Sequence, residues 1–203
     1  MHVRKGLICG AVSLILATAA VPAFAQSAGK WTLGVGLHQV NPKSDSGVDG
    51  LDVGSDMRPT ITGEYFVADN LGIEVLAALP FQHDIDIKGA GTVATAKQLP
   101  PTVSLQYHFN GGGTVSPFVG VGLNYTTFFD ESTKGALAGS TLKLDDSWGL
   151  AAHAGLDFAV GNGAVRVDVR WIDIDSDASV NGAKLGKVNI DPLVYGTAYV
   201  FKF

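Results

Sequence analysis

Cysteine is nearly absent. The single one, Cys9, falls within the first 25 residues, and no apolar run precedes it as a lipid-attachment site would need. If those residues are removed on export, the remaining chain has no thiol. That excludes a disulfide framework and a thiolate metal site. Charge is also scarce: charged residues make up 16% of the chain, and the net charge is −5. A chain of negative sign lacks the electrostatic footprint of a nucleic-acid binder, so no nucleic-acid partner is expected. Beyond the front end, no run stays apolar for the ~20 residues that a spanning helix needs. If this chain enters a membrane, it must do so as a barrel, the other structure that satisfies every backbone polar group in lipid.

The first residues have the pattern of a cleaved export signal. His2, Arg4 and Lys5 form a basic start, residues 7–21 are apolar, and Ala23-Phe24-Ala25 is an A-x-A cleavage site. The expected division is therefore a signal peptide at 1–25 and a barrel at 26–203. Losing Arg4 and Lys5 takes the net charge from −5 to −7. Apolar content of 46% excludes a disordered chain, and 203 residues fit a single barrel.

What the chain does have is alternation. In 193–203 every second residue is large or β-branched (Leu193, Tyr195, Thr197, Tyr199, Phe201, Phe203), and small, aliphatic or charged residues stand between them. A period of two marks a strand with two different faces. Ending on a bare aromatic strand would invite aggregation in a soluble domain, whereas a barrel uses such a strand to close on its first. The same period recurs at 31–38, 59–67, 71–79, 102–109, 118–125, 148–158 and 165–171. Short turns at 68–70, 110–113 and 161–163 alternate with long loops at about 41–56, 80–97, 129–146 and 175–188. The expectation is an all-β fold: an eight-stranded antiparallel transmembrane β-barrel with short periplasmic turns and four longer external loops.

Alternation alone does not separate a membrane barrel from a soluble one whose apolar face points inward. Two features favour the membrane. The polar face is crowded with small residues (Gly34, Gly72, Gly120, Gly122, Gly155 and Ala198 among them), which suit the narrow lumen of eight strands. The apolar face carries no charge on any strand. Its aromatics gather near strand ends, as membrane girdles do: Trp31, Tyr107, Phe109, Phe158, Tyr199 and Phe203. The inward parity collects ionisable residues: Glu64, Glu74, His108, His153, Asp157, Arg166, Asp168, Arg170 and Lys202. Arg166/Asp168/Arg170 reads either as an ion-selecting row or as part of a paired network that plugs the barrel. Interior charges need partners, which favours the plug.

Several stretches together resemble the outer-membrane protein W family. They are 99–103 (Leu-Pro-Pro-Thr-Val), 117–129 (Pro-Phe-Val-Gly-Val-Gly-Leu-Asn-Tyr-Thr-Thr-Phe-Phe), 146–150 (Asp-Ser-Trp-Gly-Leu), 171–175 (Trp-Ile-Asp-Ile-Asp), Asp191-Pro192 and the terminal Phe203. So do 68–74 and Pro80-Phe81. The resemblance implies a Gram-negative outer-membrane barrel with a narrow hydrophobic channel that admits small hydrophobic molecules and releases them sideways into the bilayer. It places Leu76, inward by parity, at a channel-closing position. The facing aromatic of the family falls at Arg170, a departure beside Trp171, and Trp148 matches a family aromatic but points outward. Leu76, Arg170 and Trp171 are thus the channel or gate candidates, with an apolar site expected near Leu76 and the loop bases. Pro59, Pro100, Pro101 and Pro192 cannot donate a ladder bond and either loosen the wall or simply begin strands.

The expected partners are outer-membrane lipid and lipopolysaccharide, small hydrophobic solutes and the barrel-assembly machinery, around a monomer. No cofactor and no metal is expected. Asp173-Ile-Asp-Ser-Asp177 has the spacing of a calcium run but lacks its Gly and distal Glu, and His38, His108 and His153 show no adjacent ligand pair. Catalysis is not expected either: Ser104 and His108 share a face but lie four residues apart, ~13 Å at strand rise. The alternative function is a structural or receptor barrel with a sealed lumen, whose external loops bind a partner.

Overall fold

β-branched and aromatic residues at every second position favour a pleated, half-buried surface, and this chain converts nearly all of its periodic stretches into strands. The computed structural model describes residues 26–43 and 50–203. The predicted signal at 1–25 lies outside the described residues. In chain order the strands are β1 (Trp31–Asn41), β2 (Leu51–Val53), β3 (Asp56–Ala68), β4 (Leu71–Ala78), β5 (Phe81–Ile87), β6 (Gly91–Leu99) and β7 (Thr102–His108). They continue with β8 (Val115–Thr133), β9 (Leu142–Leu144), β10 (Ser147–Val160), β11 (Gly163–Ile172), β12 (Asp175–Val180), β13 (Ala183–Asn189) and β14 (Leu193–Lys202).

Eight of them form the expected ring. The order is β10-β11-β14-β1-β3-β4-β7-β8, and β8 returns to β10. The last strand closes on the first over a continuous register, from Thr32 opposite Lys202 to Asn41 opposite Leu193. Every neighbouring pair is antiparallel. The inner parity of these strands is buried and the outer parity is exposed and apolar.

Aromatics stack in neighbouring pairs at the short-turn end: Trp31 with Tyr65 at 4.6 Å, Tyr107 with Phe109 at 5.2 Å, and Tyr199 with Phe201 at 4.8 Å. Phe158 and Phe203 are exposed at the same end. At the other end Tyr125 stacks on Trp148 at 4.8 Å. Close approach explains the glycines of the inner face. A Cβ on Gly120 would run into the His153 ring, and one on Gly72 into the Glu64 carboxylate.

The long connections differ from expectation. They carry strands of their own. β5 and β6 make a hairpin, β6 continues the ladder along the upper half of β8 (Leu99 opposite Thr127, Ala94 opposite Thr133), and β2 adds to β5. β13, β12 and β9 make a second, three-stranded sheet. The physical reason is a period-two pattern diluted by Asp, Lys and Gly. Phe81, His83, Ile85 and Ile87 alternate with Gln82, Asp84 and Asp86, and the apolar set packs inward. Facing apolar residues of the two external sheets, Phe81, Ile85, Val93, Leu144, Val188 and Ile190, form a core continuous with Val40, Ile172 and Val194 at the barrel mouth.

The outward face makes a quantitative prediction. Val121→Arg places a cation at mid-barrel on the outer side and is expected to cost ~2–4 kcal/mol in a urea titration in lipid. A cost within about 0.5 kcal/mol, the surface norm for a soluble protein, would mean that this face meets water.

Candidate functional site

The inward parity of β3, β4, β7, β10 and β11 aims a set of charges at the barrel axis, and the register decides which of them meet. Glu64 and Glu74 are cross-strand neighbours, as are Asp157 and Arg166, and His153 and Arg170. Arg166 forks onto Asp157, with Nε donating at 2.7 Å and Nη2 at 2.9 Å, while its Nη1 donates across the lumen to Glu74 at 2.7 Å. Its guanidinium carbon lies 4.3 Å from the centre of the Phe118 ring. Arg170 donates to the other oxygen of Glu74 at 2.7 Å and to Asp168 at 3.0 Å. Nε2 of His108 donates to Glu64 at 2.9 Å. His153 accepts from Arg170 at Nδ1 (3.4 Å) and donates from Nε2 to the Gln106 carbonyl at 2.8 Å. His38 lies 3.3 Å from Asp168 and 2.6 Å from Thr60.

Glu64, Glu74, His108, His153, Asp157, Arg166, Asp168 and Arg170 therefore form one buried, bonded set, whereas Lys202, the ninth inward ionisable residue, is only partly buried. Each such ion alone would cost several kcal/mol in desolvation. Forked, charge-assisted bonds to opposite charges are the geometry that offsets this cost. The charges of Arg166, Asp168 and Arg170 are spent on protein partners.

Leu76 sits one inward position above Glu74 and is 5% exposed. Beyond it, between the two external sheets, lies an apolar chamber of about 70 Å³, walled by Ile85, Val93, Ala96, Leu144, Val188 and Ile190 among others. Leu76 itself is not part of that wall, so the apolar site stands higher than expected. The external strands, not the barrel rim, supply its surface. Trp171 also departs from expectation. It stands on the outer face opposite Leu193, 42% exposed, and so lines no channel. The strand period allows no other outcome, because Arg170 beside it points inward. The four prolines still offer their carbonyls to the neighbouring chain. The carbonyls of Pro59, Pro101 and Pro192 accept from the amides of Leu79, Tyr125 and Ile172, and that of Pro100 accepts from the Asn124 side chain.

Two polar residues line the chamber, His83 of β5 and Gln98 of β6. Nδ1 of His83 donates to the Gly54 carbonyl at 2.5 Å, and its Nε2 accepts from the Gln98 amide at 3.0 Å. Burial lowers the pKa of His83 below its ordinary 6.5. Arg58 pushes the same way, and the bond to Gly54 with the charges of Asp56 and Asp84 opposes them. Neither residue stands out by composition. The signal was the Phe81/His83/Ile85/Ile87 alternation, which marks a strand with His83 on its apolar side. The aspartate run splits: Asp173 and Asp175 meet Asp191, not Asp177. Asp173 has its pKa raised by burial and then by those two carboxylates, and Asp175 also takes a bond from Lys187 at 3.4 Å.

The profile of the OmpW family matches residues 28–203. Outer membrane protein W of Vibrio cholerae is 38% identical over 98% of this chain and all of its own length. Outer membrane protein W of Escherichia coli K12 is 36% identical over 89% of this chain and 92% of its own. The crystal structure of the outer membrane protein OprG from Pseudomonas aeruginosa superposes with a TM-score of 0.77 at 37% identity, covering 88% of this chain and 98% of that one. The chain belongs to the OmpW family, and it is a barrel of the Gram-negative outer membrane.

Two outcomes are expected. Arg166→Met leaves Glu74 and Asp157 without their shared cation and should destabilise the barrel by ~3–5 kcal/mol in denaturant titrations; a loss below ~1 kcal/mol would show that the plug is not tightly coupled. The buried His83 gives the external hairpin a pH dependence of fixed sign. The unfolded segment takes a proton as pH falls through 6.5, whereas the folded one does so only at lower pH. Stability is therefore flat above about pH 7.5 and declines below the ordinary histidine value. Amide exchange in β5 and β6 should quicken between about pH 7.5 and 5.5 beyond the intrinsic trend, and His83→Asn should remove that excess.

Proposed function

We propose, starting from membership in the OmpW family, that this barrel takes up small hydrophobic molecules through the external chamber and releases them sideways into the membrane. The observation that carries the reading is an apolar chamber seated directly above a lumen filled by paired charges. An apolar solute gains by leaving water for the chamber. It gains nothing by entering a layer whose ions already hold one another, since parting them exposes unpaired buried charge. Its remaining way out is lateral. The upper half of β8 is laddered to β6 on one side only. On the other side it meets the β9 segment through isolated bonds, Thr133 to the Ser140 carbonyl at 2.7 Å and the Leu144 amide to Glu131 at 3.4 Å. We assign the exit to that seam. The barrel works as a monomer among lipopolysaccharide, placed by the barrel-assembly machinery, and performs no chemical step.

The filled lumen also suits a receptor barrel whose external strands bind a partner, and one assay separates the two readings. Vesicles carrying the protein should take up an alkane or a terpene faster than protein-free vesicles. Ala96→Phe, which fills the chamber, and Leu76→Arg, which sets a cation beneath it, should each reduce the rate toward the control. Uptake equal to the control in the unmodified protein would overturn the transport reading and leave the receptor.

A further inference from the structure

We propose that Asp146 is the latch of the seam assigned above as the exit. Its carboxylate holds the foot of the seam closed, and its release from β8 opens the chamber to the membrane. The inference rests on the uptake reading above and adds to it the residue that controls release.

The foot of the seam is the place where β8 loses a neighbour. β10 ladders with β8 as far as Ser147 opposite Thr126. Just beyond, the chain leaves β8 for the three-stranded sheet, where the Asp145 amide donates to the Asp177 carbonyl at 3.1 Å. Past Thr126, no strand among the described residues pairs with this side of β8. A backbone N–H set free by such a parting still needs an acceptor. The Asp146 side chain supplies one. Its Oδ1 accepts from the Phe128 amide at 3.4 Å, and its Oδ2 accepts from the Tyr125 hydroxyl at 2.5 Å. Thr127 is a further side-chain partner. One carboxylate thus stands in for the missing rung, and bonds to an ionised acceptor are stronger than neutral ones.

What lies on each side of this carboxylate gives it a role. On the inside, Phe128 of β8 and Leu142 and Leu144 of β9 line the chamber. On the outside, Asp146 shares the outward parity of Trp148, which is 74% exposed and stacks on Tyr125 at 4.8 Å. The latch therefore stands between an apolar wall and the upper edge of the lipid-facing surface. Above it the seam has only the two isolated bonds already named. Asp146 is exposed, so water can replace its bonds at small net cost. That suits a contact that must open and close. The closed chamber is small, at about 70 Å³, and parting the seam enlarges it as well as joining it to lipid. Asp146 is a positioning residue: it acts through Tyr125 and Phe128 and touches no solute.

The test uses the full chain in lipid vesicles and follows uptake of hexane. Asp146→Ala is expected to raise the rate about fivefold. Tyr125→Phe should raise it less, and Asp146→Asn, which keeps an acceptor oxygen, should stay near the unmodified protein. Locking the seam should do the opposite. Thr127→Cys/Asp146→Cys places two thiols at the next position of the ladder, in a chain whose one native cysteine is Cys9. Reduced, this pair should take up hexane as fast as Asp146→Ala; oxidised, it should fall to the rate of protein-free vesicles. A trapped polar dye should leak no faster from any of them. An unchanged rate in Asp146→Ala, or equal rates in the oxidised and reduced pair, overturns the latch while uptake by the unmodified protein keeps the transport reading. Dye leakage that rises with hexane uptake also overturns it, because the wall itself has then come apart. If the unmodified protein takes up no more hexane than protein-free vesicles, both this inference and the uptake reading fall. Should Asp146→Ala fail to insert, Tyr125→Phe and the oxidised pair decide.

Discussion

In hydrocarbon, a peptide N–H or C=O without a partner has no water to turn to, and each costs several kcal/mol. That constraint governs this molecule. It demands that the eighth ladder be made, and β14 makes it with β1 from Thr32/Lys202 to Asn41/Leu193 without a break. Once the ring is closed the two strand faces lose their equivalence: one touches lipid and the other is confined to a narrow bore. Small residues at Gly34, Gly72, Gly120 and Gly155 are the consequence, since side chains from facing strands compete for the same space.

Confinement also explains why the lumen tolerates so much charge. Four carboxylates, two guanidiniums and three imidazoles share the bore, and the register brings opposite signs within hydrogen-bond distance. Taken singly they would be prohibitive. As a cross-braced set they tie β3 and β4 to β10 and β11 through the middle of the barrel, where the ladders cannot reach. The same paired charges fill the bore beneath the external strands.

The external half obeys a different rule. There the strands run past the closed ring and bury apolar surface against one another, as a soluble sandwich does. The two small sheets do so around a core that runs into the barrel mouth at Val40, Ile172 and Val194. Their packing leaves a chamber, and the only polar residues on its wall among the described residues, His83 and Gln98, are bonded to each other. A lipid-facing ring, a charged floor and an apolar cap are thus three answers to one question: what each side chain meets when its strand is fixed.

The sequence by itself determined the number of barrel strands, the inside and outside of each, and most of the ionisable residues that share the bore. These depend on a period of two, which is local and survives in any strand, and parity alone put Glu64, Asp157 and Arg166 indoors. It also sufficed to set Trp171 against lipid, although likeness to known barrels argued for the gate. Tertiary structure alone decided which charges pair, because Arg166 reaches Glu74 from a strand 92 residues away and no local pattern encodes that meeting. It alone placed the apolar chamber between the external sheets, since a cavity belongs to the space between elements and has no sequence of its own.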